Sequence, residues 1–116
     1  FGKPIAKYEA ISFKIAEDAT RIEAARLLCY RALSLKDKGL PSTKEAAMCK
    51  WFCPEVALKA IHNSLLIHGF VGYSEEYSIE TRLRDTIGEE LASGTAEMMK
   101  IIIAQQIIGK IASPFD

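Results

Sequence analysis

Apolar residues in the first third of the chain recur every three or four positions and define one long helical stripe. The stripe consists of Tyr8, Ile11, Ile15, Ala19, Ile22, Ala25, Cys29 and Leu33. This spacing follows the 3.6-residue period of an α-helix and does not fit the two-residue alternation of a strand. The run Lys36-Asp37-Lys38-Gly39 then supplies cations for the last turn and a glycine for the C-cap. The sequence therefore predicts a long first helix that ends near Gly39 and buries this stripe.

A capping signal marks the start of a second helix. In Ser42-Thr43-Lys44-Glu45, the spacing of Ser42 and Glu45 is that of a capping box. The predicted helix begins near Thr43 and runs to His68, with a kink at Pro54 because proline removes a backbone donor and crowds the preceding turn. A loop is predicted over residues 69–76.

The last third of the chain predicts two more helices. The first is a short polar helix from Ile79 to about Leu91, and the second follows Thr95 as its N-cap. The fold class expected is all-α, an up-and-down four-helix bundle with one short element. Bundles also build di-iron sites, but neither histidine lies three residues after a glutamate, as such a site requires. No metal site is predicted.

Composition excludes several classes of partner. Lysine plus arginine equals aspartate plus glutamate, 15 each, so no basic excess favours nucleic acid or an anionic membrane. No apolar run reaches the roughly 18 residues of a membrane span. The three cysteines contain no Cys-x-x-Cys pair, which argues against a disulfide framework or a zinc knuckle. We expect a soluble cytoplasmic protein whose cysteines are reduced, small and buried.

Five ordered segments together resemble the C-terminal helical domain of the flavin-dependent acyl-CoA dehydrogenases. They are Phe1-Gly2-Lys3-Pro4-Ile5, Ile22-Glu23-Ala24-Ala25-Arg26-Leu27-Leu28, Lys38-Gly39-Leu40-Pro41 with Glu45-Ala46-Ala47-Met48-Cys49-Lys50, the loop Ile67-His68-Gly69-Phe70-Val71-Gly72-Tyr73, and Leu91-Ala92-Ser93-Gly94-Thr95-Ala96-Glu97. The resemblance runs from Phe1 to about Lys110. It implies that residues 1–116 are one C-terminal bundle domain of a longer chain, a fragment whose preceding helical and β domains are missing. The isolated fragment is then expected to be inactive, without FAD, and to self-associate.

The resemblance implies the activity of the whole protein. The family oxidises an acyl-CoA thioester to the trans-2-enoyl-CoA with FAD and passes electrons to an electron-transfer flavoprotein. Its FAD lies partly across a subunit boundary, and its bundles pack into dimers or tetramers. In a eukaryote the location implied is the mitochondrial matrix. Positions similar to the family's cofactor contacts are Phe1, Glu9, Leu66, Ile67, His68, Gly69, Phe70, Thr95 and Glu97, and those similar to its substrate contacts are Ser93 and Gly94.

Two of these regions depart from the family pattern. Where the family usually has glutamine, this chain has Glu9, a carboxylate that cannot donate a hydrogen bond unless protonated. Where the usual loop reads Gln-x-x-Gly-Gly-x-Gly, this chain has Leu66 and Phe70 in place of the glutamine and a glycine. Leucine offers no hydrogen bond, and a phenylalanine ring obstructs close approach of backbone to phosphate.

Ser93 occupies the position at which many members of the family carry the catalytic glutamate. A serine hydroxyl alone holds its proton too tightly at neutral pH to act as a general base, so no catalytic residue is predicted within this chain. Two interpretations follow. Either the catalytic carboxylate lies on an earlier helix outside this chain, as in members with a small residue here, or the protein is a non-catalytic, assembly-type subunit or paralogue with a degenerate flavin site.

Other polar and aromatic residues have structural interpretations. Arg84-Asp85 is expected to form an ion pair that fixes the short helix rather than a substrate contact. His68 is expected to contact the last carbonyls of its helix. Trp51 and Tyr30 are expected in the core.

Overall fold

The computed structural model describes residues 2–115, and this part of the chain is helical with no strand. The helices are α1 (Glu9–Asp37), α2 (Thr43–His68), α3 (Phe70–Tyr73), α4 (Ile79–Leu91) and α5 (Ala96–Ile108), with 3₁₀ turns at Ile5–Lys7 and Lys110–Ala112. The all-α prediction is confirmed. The four long helices begin and end close to the positions that the apolar spacing indicated.

The second helix is the centre of the packing. It contacts α1, α4 and α5 along its length and α3 at its end. Hydrogen bonds link Asn63 to Asp18 near one end and Glu45 to Arg31 near the other, so α1 and α2 run antiparallel. The molecule measures 60 × 25 × 24 Å and its radius of gyration is 17.8 Å. A compact domain of this length has a radius of gyration of about 13 Å, so the helices form an elongated assembly.

The fully buried apolar core is small. It consists of Ala25, Ala47 and Val56. The stripe predicted on α1 is only partly covered, because Ile15, Ile22 and Leu33 remain exposed. The prediction that Tyr30 lies in the core is wrong, because its side chain is exposed. The helices therefore satisfy their backbone hydrogen bonds while leaving much apolar side-chain surface uncovered.

Polar side chains cross the seam between α1 and α2. The amide of Asn63, which is 6% exposed, donates to the Asp18 carboxylate at 2.9 and 3.0 Å. Glu45 is equally buried and lies 3.5 Å from the Arg31 guanidinium and 3.7 Å from the Lys44 ammonium. A buried carboxylate needs such cationic partners to offset its desolvation.

The predicted capping box is wrong in its chemistry, although α2 does begin at Thr43. Ser42 is the N-cap residue but its side chain makes no capping hydrogen bond. The Glu45 side chain is buried against Arg31 instead of reaching back to Ser42. The Glu45 carboxylate therefore pairs with the Arg31 guanidinium in place of the capping hydrogen bond to the Ser42 backbone. Pro54 lies within α2, which continues as one helix on both sides of it.

The predicted loop after α2 contains a turn of helix. Gly69 adopts a φ of 67° and ends α2, and α3 follows directly. Gly72 is buried against the last turn of α2, where an added Cβ would lie 2.7 Å from the Cβ of His68 and 3.3 Å from the Leu65 carbonyl oxygen. The absence of a side chain at Gly72 therefore permits α3 to pack closely on α2, which a general loop signal does not reveal.

The ion pair predicted within Arg84-Asp85 forms with a different acid. Arg84 pairs with Glu80, one turn earlier on α4, at 3.1 Å. Residues four apart are neighbours on a helix surface, whereas adjacent residues point in different directions. Across residues 2–115, no helix is long and apolar enough to cross a membrane.

Candidate functional site

The connection between α4 and α5 contains an unusual backbone conformation at Ser93. Its φ is 58°, and it is the one residue other than glycine with a positive φ in the described part of the chain. Gly94 follows with a φ of 112°. A residue with a Cβ is disfavoured in this left-handed region, and such outliers concentrate at functional sites. Ser93 is exposed at this turn.

A cleft opens beside this turn, between α2 and the start of α5. It has a volume of about 320 Å³. Its walls combine a polar and an apolar part, formed by Lys50, Trp51, Glu55, Glu90, Leu91, Thr95, Ala96 and Glu97. Of the residues predicted from the sequence, Thr95 and Glu97 line the cleft, and Ser93 and Gly94 precede them in the turn. We call these four residues the Ser93 group.

Charged side chains are held in place around the cleft. Lys50 donates a hydrogen bond to the Glu89 carbonyl, which ties α2 to the end of α4. The Lys100 ammonium lies 4.8 Å from the centre of the Trp51 ring, a cation–π contact between α5 and α2. Trp51 is therefore half-buried in the cleft wall rather than in the core.

The surroundings of Glu97 favour the ionised form of its carboxyl group. Its pKa is lowered first by the hydrogen bond from its own backbone amide, then by the Thr95 hydroxyl and the Lys100 ammonium. Glu97 lies in the first turn of α5, where the free amides of a helix N-terminus stabilise negative charge. A low pKa does not suit a proton-abstracting base at neutral pH, because a weakly basic carboxylate has little affinity for the proton.

In the described part of the chain, no side chain is placed to activate the Ser93 hydroxyl. Among the hydrogen bonds of residues 2–115, none joins Ser93 to a histidine or a carboxylate, and its turn projects into solvent. A serine becomes a nucleophile or base only when an adjacent group takes its proton. That this position provides no catalytic base stays a prediction.

The other predicted residues lie at the far end of α2. Leu66, Ile67 and His68 form its last turn, and Gly69 and Phe70 lead into α3. Leu66 is 52% exposed and Phe70 is 85% exposed, with the Phe70 ring 6.0 Å from that of Tyr73. We call these five residues, with Glu9, the α2-end group.

The His68 side chain contacts the backbone of its own helix. Its Nδ1 lies 2.8 Å from the Ser64 carbonyl oxygen, so it contacts the last turn of its own helix as predicted. Glu9 is the first residue of α1, and the antiparallel arrangement brings it to the same end of the molecule as Gly69. Phe1 lies outside the described residues.

The predicted site residues therefore form two groups rather than one. Trp51, in the wall of the cleft, and Leu66 are fifteen positions apart on one continuous helix. At a rise of 1.5 Å per residue this separates the two groups by about 22 Å. One small molecule does not reach both, whereas a long ligand or two copies of the chain would.

Sequence reasoning missed a third cluster. The cysteines of α1 and α2 were expected to be small buried residues, and Cys49 and Cys53 to be able to share a helix face, but the structure also brings Cys29 to them at the seam. All three are half-buried rather than fully buried. Cys29 lies on the apolar stripe of α1, and Cys49 and Cys53 share a face of α2. Because these two faces pack against each other, the cysteines on them were the sequence feature that could have predicted the cluster.

Comparison with known proteins gives the family. Residues 1–108 match the family described as acyl-CoA dehydrogenase, C-terminal domain. A probable acyl-CoA dehydrogenase of Bacillus subtilis is 43% identical over 108 residues, covering 93% of this chain and 28% of that protein. A subunit of the caffeyl-CoA reductase-Etf complex of Acetobacterium woodii is 39% identical over 95% of this chain and 29% of its own length.

The solved structures agree. Butyryl-CoA dehydrogenase from Megasphaera elsdenii superimposes with a TM-score of 0.89 at 38% identity, over 91% of this chain and 28% of that one. The chain belongs to the acyl-CoA dehydrogenase family and has the fold of its C-terminal helical domain. It spans less than a third of the length of these relatives.

Proposed function

We propose that this chain is the C-terminal, FAD-contacting and oligomerising domain of an acyl-CoA dehydrogenase that oxidises an acyl-CoA thioester to the trans-2-enoyl-CoA. The observation that carries the proposal is the left-handed Ser93-Gly94 turn beside the cleft between α2 and α5. In a chain of this family, that turn precedes the residues expected to reach the flavin. FAD, when bound, supplies the acceptor for the hydride that leaves the substrate's β-carbon.

The residues of the Ser93 group have separate roles in this proposal. Ser93 and Gly94 line the acyl pocket, with Ser93 offering a hydrogen bond at most. Thr95 and Glu97 contact the cofactor, and the exposed amides at the start of α5 provide the donors that an anionic or carbonyl-bearing ligand needs. The carboxylate that removes the α-proton lies outside this chain.

The distance between the two groups supports a flavin shared between subunits. The Ser93 group would serve the flavin of its own subunit, and the α2-end group, with Phe1, that of a neighbour. Exposed apolar side chains on α1 and α5, among them Phe13, Leu27 and Ile107, support self-association into a dimer or tetramer.

The reaction direction and electron partner are part of the proposal. One relative belongs to a reductase complex with Etf, and others are dehydrogenases. We propose oxidation, as part of fatty acid metabolism, with an electron-transfer flavoprotein as acceptor. The expected location is the cytoplasm, or the mitochondrial matrix if the source is eukaryotic.

A second candidate function rests on the α2-end group. Leu66 and Phe70 present apolar, exposed surface where the family usually has a glutamine and a glycine. Neither side chain can hydrogen-bond to a cofactor. These residues favour a non-catalytic subunit or paralogue whose bundle serves assembly and whose flavin site is degenerate.

Flavin absorbance of the complete protein separates the two functions. We expect a yellow protein whose flavin is bleached by an acyl-CoA, while the 116-residue chain alone shows no turnover. A colourless protein that pairs with a flavin-containing relative would support the assembly function instead. Turnover by the chain alone would contradict both.

Two variants of the complete protein test the residue roles. Ser93→Ala should keep activity within about tenfold, because loss of a true general base costs about 10²–10⁴-fold. Thr95→Ala should instead lower flavin content after dialysis, since it removes a cofactor contact. A loss of several thousandfold in Ser93→Ala, with flavin retained, would make Ser93 essential to the chemistry and contradict its assignment.

A further inference from the structure

The three cysteines form a sulfur cluster that the proposed function does not use. The Sγ atoms of Cys29, Cys49 and Cys53 all lie within 4.8 Å of one another, and those of Cys29 and Cys53 are 3.4 Å apart. Cys49 and Cys53 lie one turn apart on α2, and Cys29 faces them from α1. Successive residues of a helix are rotated by about 100°, so the two α2 thiols lie on the side of the helix opposite Trp51 and the cleft.

The spacing of the sulfurs suits a single bound centre. Bonds of about 2.3 Å to one centre separate the sulfurs by about 3.3 Å at the near-right angles of a pyramidal centre and by about 4.0 Å at trigonal angles. The Cys29–Cys53 separation of 3.4 Å lies within that range, and no pair of these sulfurs is more than 4.8 Å apart. Within residues 2–115 the cluster contains sulfur ligands alone.

The surroundings keep the thiols neutral. Burial raises the pKa of Cys49 to about 11 and that of Cys53 to about 12, with the neighbouring Cys29 adding to both. Both are therefore protonated at neutral pH. A site of this kind disfavours any complex that leaves net negative charge at the seam.

The net charge of the complex distinguishes the metal and metalloid ions that bind thiols. Three thiolates around a monovalent copper would carry a net charge of −2, around divalent zinc −1, and around a trivalent centre zero. Structural zinc also takes four ligands, and the cluster offers three. A trivalent, three-coordinate centre matches both the ligand number and the requirement for a neutral product.

We propose that Cys29, Cys49 and Cys53 form a three-thiol binding site for a trivalent thiophilic centre, with arsenous acid as the ligand class. Arsenous acid is uncharged and reacts with thiols by condensation. Three As–O bonds break, three As–S bonds form, and each thiol proton leaves with a hydroxide as water. No electron is transferred, and the neutral product links α1 to α2.

Titration with sodium arsenite tests the site directly. The reduced chain at neutral pH, with no competing thiol present, should bind one arsenic per chain as measured by intact mass. All three thiols should become unreactive together toward a colorimetric thiol reagent, and the thermal midpoint should rise. A folded chain that binds no arsenic, or that loses only two thiols per arsenic, would overturn the proposal. This measurement needs no variant.

Single substitutions test the number of ligands. Cys29→Ser, Cys49→Ser and Cys53→Ser should each weaken arsenic binding by at least about 100-fold, because linked bonds gain about 10²–10⁴-fold from effective concentration. Val56→Ala, which removes packing on α2 but no thiol, is the matched control and should retain one arsenic per chain. Unchanged affinity in Cys29→Ser, with helical content preserved, would show that α2 alone binds and would contradict the three-thiol site.

Competition with zinc tests the charge argument. Zinc chloride at equal concentration should not displace arsenic from the chain, because the zinc complex would leave a negative charge at the seam. Displacement of arsenic by zinc would overturn the assignment of a trivalent centre.

Discussion

Two short connections join the helices that pack on α2, and each depends on glycine for a different reason. In the segment Gly69–Tyr73 the closely packed residue is Gly72, which is buried and whose added Cβ would lie 2.7 Å from the Cβ of His68. The Ser93-Gly94 turn is open, and a Cβ at Gly94 would meet only the end of the flexible Met99 side chain, at 2.8 Å. At Gly72 a glycine is needed because there is no room for a side chain. At Gly94 it is needed because the backbone adopts a positive φ.

The difference shows how the two candidate site regions are maintained. At the α2 end, the close contact of Gly72 with the last turn of α2 sets the position of α3, beside the exposed Leu66 and Phe70. At the Ser93 turn, the left-handed backbone at a non-glycine residue stores strain. That strain is tolerated because the flanking helices α4 and α5 are both held by α2.

The largest expected effect comes from Gly72→Ala, which breaks the packed connection. The added methyl group must push α3 away from His68 and the Leu65 carbonyl, and overpacking of this kind costs about 1–3 kcal/mol. We expect the urea midpoint of unfolding to fall accordingly.

Gly88→Ala is the matched control for that variant. Gly88 lies inside α4 with open space around its Cβ position, so alanine should stabilise the chain by about 0.5–1 kcal/mol. A destabilisation by Gly88→Ala as large as that by Gly72→Ala would show that close packing at Gly72 is not the cause.

A smaller effect of opposite sign is expected from Ser93→Gly, which relaxes the open connection. Glycine removes the left-handed penalty of about 1–2 kcal/mol but loses part of the gain through its freer unfolded state. We expect a net stabilisation of about 0.5–1 kcal/mol in urea unfolding. Ser93→Ala keeps the Cβ and should give no such gain. Equal gains in the two variants would show that the hydroxyl, and not the backbone, sets the stability of the turn.

The smallest effect concerns pH and the carboxylate beside the Ser93 turn. The folded-state pKa of Glu97 is below its ordinary value of 4.5, so ionised Glu97 stabilises the folded chain above that value. This contribution is lost as the pH falls through the folded-state pKa. Glu97→Gln should therefore lower the thermal midpoint slightly at neutral pH and have no effect in more acidic solution.

Glu75→Gln provides the control for the Glu97 variant, because it makes the same charge change on the exposed segment before α4. A neutral-pH decrease in midpoint that is equal in both variants would point to net charge rather than to the first turn of α5.

Much of the fold could be predicted because its signals are local. The stripe of α1, the helix stop at Gly39 and the bounds of α4 follow from spacing and capping preferences within a few residues. The capping box failed because Glu45 found a cation on α1, fourteen positions away, which no local rule contains. The turn of helix at Phe70–Tyr73 was missed for the same kind of reason, since it depends on contact with α2.

The roles of the candidate site residues stay a prediction. Family resemblance named Ser93, Thr95 and Glu97 together, and the cleft lies beside them. It did not reveal that the predicted residues divide into two groups along α2. It also did not reveal the cysteine cluster, because the meeting of Cys29 with Cys49 and Cys53 depends on the register between two helices.

The sequence by itself determined the helices, the family and the replacement of the usual glutamate by Ser93. These depend on residue type and on spacing along the chain, which can be read from the sequence without the structure. Only the tertiary structure decided that Ser93 adopts a left-handed backbone, that Glu45 and Asn63 are buried with partners on α1, and that three thiols meet at one seam. Those features arise from antiparallel register and packing, where residues distant in sequence compete for the same space and the same charges.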